Sequence, residues 1–230
     1  MSGSLRSEPD LADILASAAR LQRLVPDAVL VGGSAAALHA RHRISTDHDH
    51  VLTNLRERFD AVLGALEHEG DWVTNRVTPG KVVLGELGGI ETGVRQLIRC
   101  RPLETERYRL PDGAEITVPT AAETLRIKAF LVVKRNQVRD YLDVAALSVT
   151  LGVARAGEVL ADIDAYYADQ VSTDGAVAAQ VAAQLAEPAP KDSRITTRLA
   201  HYKGLAARWR DWNQVTQVCR AVATAMLTAG

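Results

Sequence analysis

Residues 31–50 read Val31-Gly-Gly-Ser-Ala-Ala-Ala-Leu-His-Ala-Arg-His-Arg-Ile-Ser-Thr-Asp-His-Asp-His50. The apolar run Ala28–Val31 enters this stretch as a short buried strand and stops at Gly32-Gly33. An alanine-rich helix is expected over 34–41, and Asp47–Leu52 alternates acid and imidazole as a strand does. Backbone N–H groups at a helix N-terminus attract anions, glycine lets a phosphate approach the backbone, and Ser34 adds a hydroxyl donor. Asp47 and Asp49, two residues apart, point to one face of their strand. Such a pair repels unless a cation lies between, and Mg²⁺ is satisfied by few carboxylates together with phosphate oxygens and water. A phosphate cradle beside a metal-binding pair is the layout of phosphoryl or nucleotidyl transfer. His48 and His50 fall on the opposite face of that strand, so they are expected to pack under a neighbouring helix and not to join the aspartates around a metal. His39 and His42 read as ordinary helix residues.

Outward from this stretch the pattern is regular. Residues 9–24 carry Leu11, Ile14, Leu15, Ala18 and Leu21 at helical spacing, with Pro9 and Asp10 suited to the first turn and Pro26-Asp27 as the break. Residues 55–67 return to helical period through Leu55, Phe59, Val62, Leu63 and Leu66. From Trp72 to Val118, glycines separate short apolar runs, which predicts a twisted sheet of hairpins. Pro119 opens a helix with Thr120 as its cap, Asn136 interrupts it, and a second helix runs from Val138 to Leu151 and stops at Gly152. The remainder reads as helices near 153–168, 173–186, 193–209 and 212–228.

The combination of Gly32-Gly-Ser-Ala35 with Arg43-x-Ser45-x-Asp47-x-Asp49, followed by Lys128, Arg135 and Arg139-Asp140-Tyr-Leu-Asp143, resembles the nucleotidyltransferase superfamily of DNA polymerase beta-type enzymes. More narrowly it is similar to the AbiEii-type family, the toxins of type IV toxin–antitoxin systems. The resemblance covers roughly residues 25–150. It implies an α+β, nucleotidyltransferase-like mixed sheet flanked by helices, placed over 1–150; the helical periods of 151–230, outside the resemblance, predict a separate helical C-terminal region. It implies that Gly32, Gly33 and Ser34 hold a nucleoside triphosphate and that Asp47 and Asp49 bind Mg²⁺ or Mn²⁺. Lys128 would reach the nucleotide phosphates. Asp140 and Asp143 would stand near the nucleotide or orient Lys128, and Arg43 and Arg139 would support phosphates or brace the acids. An Arg139–Asp143 helix salt bridge is the plain alternative for that spacing. Many superfamily members carry a third carboxylate on a later strand. Glu91 and Glu115 are the candidates here, with Glu91 favoured because Gly89 and Gly93 flank it.

Composition narrows the classes. The chain has 230 residues, 47% hydrophobic and 24% charged, which excludes a disordered or fibrous chain. Two cysteines, Cys100 and Cys219, make neither a disulfide framework nor a metal motif. No apolar run approaches the roughly 20 residues that span a bilayer, and Met1–Asp10 lacks the apolar region of a signal peptide. A cytoplasmic protein with no membrane contact is therefore expected. Net charge is −1, but residues 151–190 hold one Arg against six acids, and 191–230 hold seven basic residues against Asp192 and Asp211. Such blocks mark either a working surface or two elements that neutralise each other.

These features support an enzyme moving NMP from an NTP to an acceptor. The resemblance makes tRNA the acceptor and a cognate antitoxin a partner. An RNA acceptor would use Arg194, Arg198, Lys203, Arg208 and Arg210, with Tyr202, Trp209 and Trp212 as stacking surfaces; burial in the helical core is the plain alternative for these aromatics. The alternatives are a phospho- or nucleotidyltransferase acting on a protein or a small hydroxyl compound such as an aminoglycoside, and an idle nucleotide-binding module. Two converging acids argue against the last.

Overall fold

A computed structural model describes residues 9–170, 175–202 and 204–229. The chain forms two compact units. One gathers the residues through Ser34 with Ile44–Gln96 and Arg107–Val118, and the other comprises Ala35–Arg43, Leu97–Glu106 and the chain from Pro119 onward. The expected boundary at 150 does not coincide with this division. The helices that follow Pro119 share their core with the C-terminal helices.

In the first unit, helix α1 (Leu11–Leu24) starts at Asp10, whose side chain accepts from the Asp13 amide while Asp13 caps back. Strand β1 (Val29–Val31) leads directly into helix α2 (Gly32–Ala40). Gly32, at φ +78°, makes this sharp junction, a conformation open to glycine. Strand β2 (Asp47–Leu52) and helix α3 (Leu55–Glu67) have the bounds their periods predict. Strands β3 (Trp72–Thr78), β4 (Val82–Leu87) and β5 (Ile90–Gln96) form hairpins, as expected from the glycine spacing.

The five strands make one mixed sheet in the order β1-β2-β5-β4-β3. Strand β5 runs parallel to β2, whereas every other pairing is antiparallel. One face carries Leu52, Trp72, Val83, Leu87 and Val94, which pack on Leu21 and Val25 of α1 and on Leu55, Phe59, Val62 and Leu66 of α3. Strand β6 (Thr105–Arg109) pairs with β7 (Glu115–Pro119) in a separate two-stranded sheet. The Gln22 amide ties α1 to β7 by exchanging two hydrogen bonds with the Thr117 backbone, at 2.9 and 2.7 Å.

In the second unit, Thr120 caps α4 (Ala121–Arg135) by accepting from the Glu123 amide. Asn136 ends α4 in the left-handed region at φ 52°. Helix α5 (Val138–Leu151) follows and stops at Gly152, as read from the sequence. Helices α6 (Val153–Ala161), α7 (Val177–Ala186) and α8 (Trp212–Thr228) complete a bundle whose core joins Leu125, Phe130, Tyr141 and Leu147 to Val159, Leu185 and Cys219. Two expected helices are shorter than their periods suggested. The 153–168 helix ends at Ala161 and continues as 3-10 turns. Residues 173–174 lie outside the described set, and that helix begins at Val177. The expected helix over 193–209 is instead 3-10 turns at Ser193–His201 and Ala207–Arg210. Thr196 and Thr197 donate their hydroxyls to carbonyls three residues back, and Arg198 leaves the helical region at φ −121°. Such side-chain bonds compete with the helix ladder. Among the described residues no single helix is long and apolar enough to cross a membrane.

Helix α6 approaches α8 closely at Gly157. A β-carbon there would lie 2.5 Å from Ala225 Cβ and 2.7 Å from its carbonyl carbon. Gly157→Leu should lower the unfolding free energy by about 1–3 kcal/mol, more than the ~1 kcal/mol of helix propensity it gains. Gly64, with nothing within 4 Å of its own added β-carbon, is the control: Gly64→Ala should stabilise by about 0.5–1 kcal/mol. Urea denaturation of the two variants measures both.

Candidate active site

Strand β2 has a different chemistry on each side. On the core side, His48 and His50 are buried, as expected. His48 Nε2 lies 3.0 Å from Ser17 Oγ on α1 and 3.1 Å from Thr92 Oγ1 on β5. Burial lowers the His48 pKa to about 4, against a smaller opposing pull from Asp47. Burial also carries His50 well below the ordinary imidazole range, with the His48 charge adding to it. Both rings are therefore neutral at physiological pH.

On the other side, Asp47 and Asp49 project together from the open face of the sheet. Directly paired residues share a face, so the register assembles that face row by row. Asp47 stands beside Glu91, and Glu91 beside Glu86. Asp49 stands beside Gly93, Gly93 beside Leu84, and Leu84 beside Arg76. These strands line an open cleft of about 230 Å³ that contains Asp47, Asp49, Glu91, Arg76, Arg95 and Asn75. Ser45 donates to Asp47 Oδ1 at 2.9 Å, and Arg95 Nε donates to Asp49 Oδ1 at 3.1 Å. Gly93 makes room for the second carboxylate: a β-carbon there would lie 2.3 Å from Asp49 Oδ1. Gly32 approaches from the start of α2, where an added β-carbon would lie 3.5 Å from Asp49 Cβ.

This cradle and its donor set fit a hard divalent cation, for which Asp47 and Asp49 would supply oxygen ligands and leave other positions to water and phosphate. Among the described residues no group of three His, Cys, Asp or Glu side chains lies close enough to hold a metal together. Glu91 thus shares the face and the row of Asp47 but does not close a three-carboxylate site, and Glu115 lies on β7, outside this sheet. The Ser34 hydroxyl, expected to face a phosphate, instead donates to the Asp47 carbonyl and is buried. It locks the first turn of α2 to the start of β2. The backbone N–H groups after Gly32 and Gly33 remain without intrahelical acceptors, as in the first turn of any helix.

The second unit holds the other sequence-selected residues. Asp143 is fully buried and accepts from Lys128 Nζ at 2.7 Å, Arg43 Nε at 2.7 Å and Nη2 at 3.0 Å, and His42 Nε2 at 2.6 Å. Burial opposes ionisation of Asp143, yet the Arg43 and Lys128 charges hold its carboxyl well below the ordinary range, and His42 and Arg43 hydrogen bonds add to this. Burial pulls the Lys128 ammonium below its usual pKa, with Asp143 opposing and Arg43 assisting that shift. Asp143 therefore orients Lys128, one of the two roles expected for it. The Arg139–Asp143 helix pair does not form, and Arg139 is exposed. Asp140 pairs with Arg135 at 2.6 Å, and its Oδ2 is buried with no hydrogen-bond partner. His42, read as an ordinary helix residue, is a full member of this network.

Trp209 is in the core, and Trp212 packs edge-on against Tyr141 at 5.9 Å, so neither offers an open stacking face. Arg194, Arg198, Arg208 and Arg210 are exposed, while the side chain of Lys203 lies outside the described residues. Among the described residues no ion pair joins the acidic block to the basic one. Sequence reasoning missed Gly93 and Arg95. Their signal was the two-residue period Glu91-x-Gly93-x-Arg95, which becomes meaningful only beside Asp47-x-Asp49.

The site defined by this sheet is a carboxylate pair next to a glycine-led helix N-terminus. No family model matches the chain, so the AbiEii-type resemblance stands on its quoted motifs alone. Over 95% of its length the chain is 32% identical to the heme uptake protein MmpL11 of Mycobacterium tuberculosis. Over 96% it is 30% identical to the mycolic acid-containing lipids exporter MmpL11 of Mycolicibacterium smegmatis. The chain spans about a quarter of the length of these curated relatives, 23% and 22%. Among solved structures, a candidate nucleotidyltransferase from H. pylori is similar at 14% identity and TM-score 0.48, covering 95% of this chain and 94% of that one. An antigenic nucleotidyltransferase-like protein from Paracoccidioides brasiliensis is similar at 16% identity and TM-score 0.45, covering 60% and 75%.

Two predictions follow from the buried partners. A histidine whose folded pKa lies below its unfolded value of 6.5 contributes full stability above 6.5. That contribution is lost as pH falls toward about 4. Urea unfolding at stepped pH values should show this loss, and His50→Leu should flatten the slope. Asp143→Ala leaves Lys128 and Arg43 buried without their carboxylate and should cost about 3–5 kcal/mol in the same assay.

Proposed function

We propose that the chain is a metal-dependent nucleotidyltransferase that moves NMP from an NTP to an acceptor hydroxyl. The observation that carries this reading is the placement of Asp47 and Asp49 on one sheet face, with Gly93 cleared for Asp49 and the N-terminus of α2 beginning beside it. Mg²⁺ or Mn²⁺ bound there would neutralise charge on the phosphates. Asp47 and Asp49 hold and orient that cation, Ser45 fixes the Asp47 carboxylate, and the amides after Gly33 receive a phosphate oxygen. Lys128, paired with Asp143, is assigned to the nucleotide phosphates by the motif resemblance. An NTP requirement favours a cytoplasmic site of action, where NTPs are abundant.

The motif resemblance favours tRNA as acceptor, with a toxin's role and a cognate antitoxin. The similarity of 95% of this chain to part of MmpL11 transport proteins favours a second reading. In it the module works with a larger protein, and its acceptor is a protein or a small hydroxyl compound.

Incubation with Mg²⁺, each labelled NTP and, separately, total tRNA, protein fractions and small hydroxyl compounds separates the readings by what becomes labelled. Asp49→Asn should lower transfer by about two to three orders of magnitude with an unchanged melting temperature. Wild-type transfer in Asp49→Asn, or no labelled product in any combination, overturns the proposal.

A further inference from the structure

Asp49 has a charged partner on the neighbouring strand. Its Oδ1 accepts from Arg95 Nε at 3.1 Å, and the geometry of that pair follows from the strand. Arg95 is two residues beyond Gly93 on the same face of β5, and Gly93 is the residue paired with Asp49. With no side chain at 93, the guanidinium reaches back along the strand to the carboxylate. Two Asp–Arg pairs in this chain differ in kind. Arg43 grips Asp143 with both Nε and Nη2, and both side chains are buried. Arg95 makes one contact, and its side chain is 47% exposed against 32% for Asp49. The first has the form of a permanent brace, the second of a contact easily exchanged.

The cleft's charges set the consequence. Asp47, Asp49 and Glu91 line it together with Arg76 and Arg95. A triphosphate entering alone meets three carboxylates. A divalent cation entering alone must displace Arg95 and then sit beside a freed guanidinium. When both enter, the cation takes Asp49, and Arg95 has phosphate oxygens to fork, which suits its planar donors. We propose that Arg95 is the positioning residue of this site: it occupies Asp49 in the metal-free protein, yields it to the divalent cation, and then binds the triphosphate that accompanies the cation. This inference rests on the nucleotidyltransferase reading. It adds that metal and nucleotide bind with positive coupling through Arg95, which by linkage is the same in either order.

The test is binding without turnover. Mn²⁺ affinity is measured by electron paramagnetic resonance, with and without α,β-methylene-ATP, for the full chain and for Arg95→Gln, Arg95→Lys and Asp49→Asn. Wild type should bind Mn²⁺ about ten-fold or more tighter when the analogue is present. Arg95→Gln should bind Mn²⁺ alone about three- to five-fold tighter, as expected on losing a competing exposed cation, and should lose most of the coupling. Arg95→Lys keeps the charge but not the fork, so its affinity for Mn²⁺ alone should stay near wild type while its coupling falls. If Arg95→Gln unfolds, the Arg95→Lys result decides alone. Absence of coupling in wild type, or wild-type coupling in the Arg95 variants, overturns the inference. Loss of Mn²⁺ from Asp49→Asn beside unchanged Arg95 variants removes only the role of Arg95. Wild-type Mn²⁺ binding by Asp49→Asn removes the metal assignment and this inference with it.

Discussion

Two like charges on one strand face constrain the first unit. Asp47 and Asp49 repel each other, and β2 must also present the opposite face to an apolar core. The strand meets both demands by alternation. Its acids go to the open face, where water, Arg95 and Ser45 compensate them. Its imidazoles go to the core face, where Ser17 and Thr92 satisfy His48 and burial keeps both rings neutral. A carboxylate on the core side would have been far more costly than a neutral histidine. The polarity of β2 therefore decides which face of the sheet is available for chemistry.

Around that strand, small residues and one hydroxyl set the distances. Gly32 turns β1 into α2 and stays clear of Asp49, Gly93 clears the neighbouring strand, and Ser34 fastens the α2 start to the Asp47 backbone. Ser34 thus acts through the backbone: its hydroxyl holds the start of α2 against the first residue of β2. The residue type was the one expected at that position, with a different bond.

The second unit solves a related problem by burial. One carboxylate, Asp143, takes Lys128, Arg43 and His42 at once. Removing one member of a buried ionic group leaves its partners uncompensated, so these residues stand or fall together. Lys128, expected as a mobile point charge, is instead buried and paired to Asp143.

Local rules made much of this legible in the sequence. The period of β2, the apolar stripes of α1 and α3, the Thr120 cap and the Asn136 and Gly152 stops all act within about four residues, and each appears with the expected bounds or nearly so. The aspartate pair and its outward face were likewise a consequence of alternation alone. The choice of β5 as the parallel neighbour of β2 was not legible, because strand pairing joins residues some forty positions apart with no local signature; Gly93 and Arg95 acquire their roles only through it. Nor was His42 legible as a partner of Asp143, a contact across 101 positions. The helical period also failed over 193–209, where the backbone leaves the helical region at Arg198 and forms 3-10 turns. The sequence by itself determined which residues could do the chemistry. The tertiary structure decided their companions, because repulsion between charges is relieved only by groups that the fold brings from elsewhere in the chain.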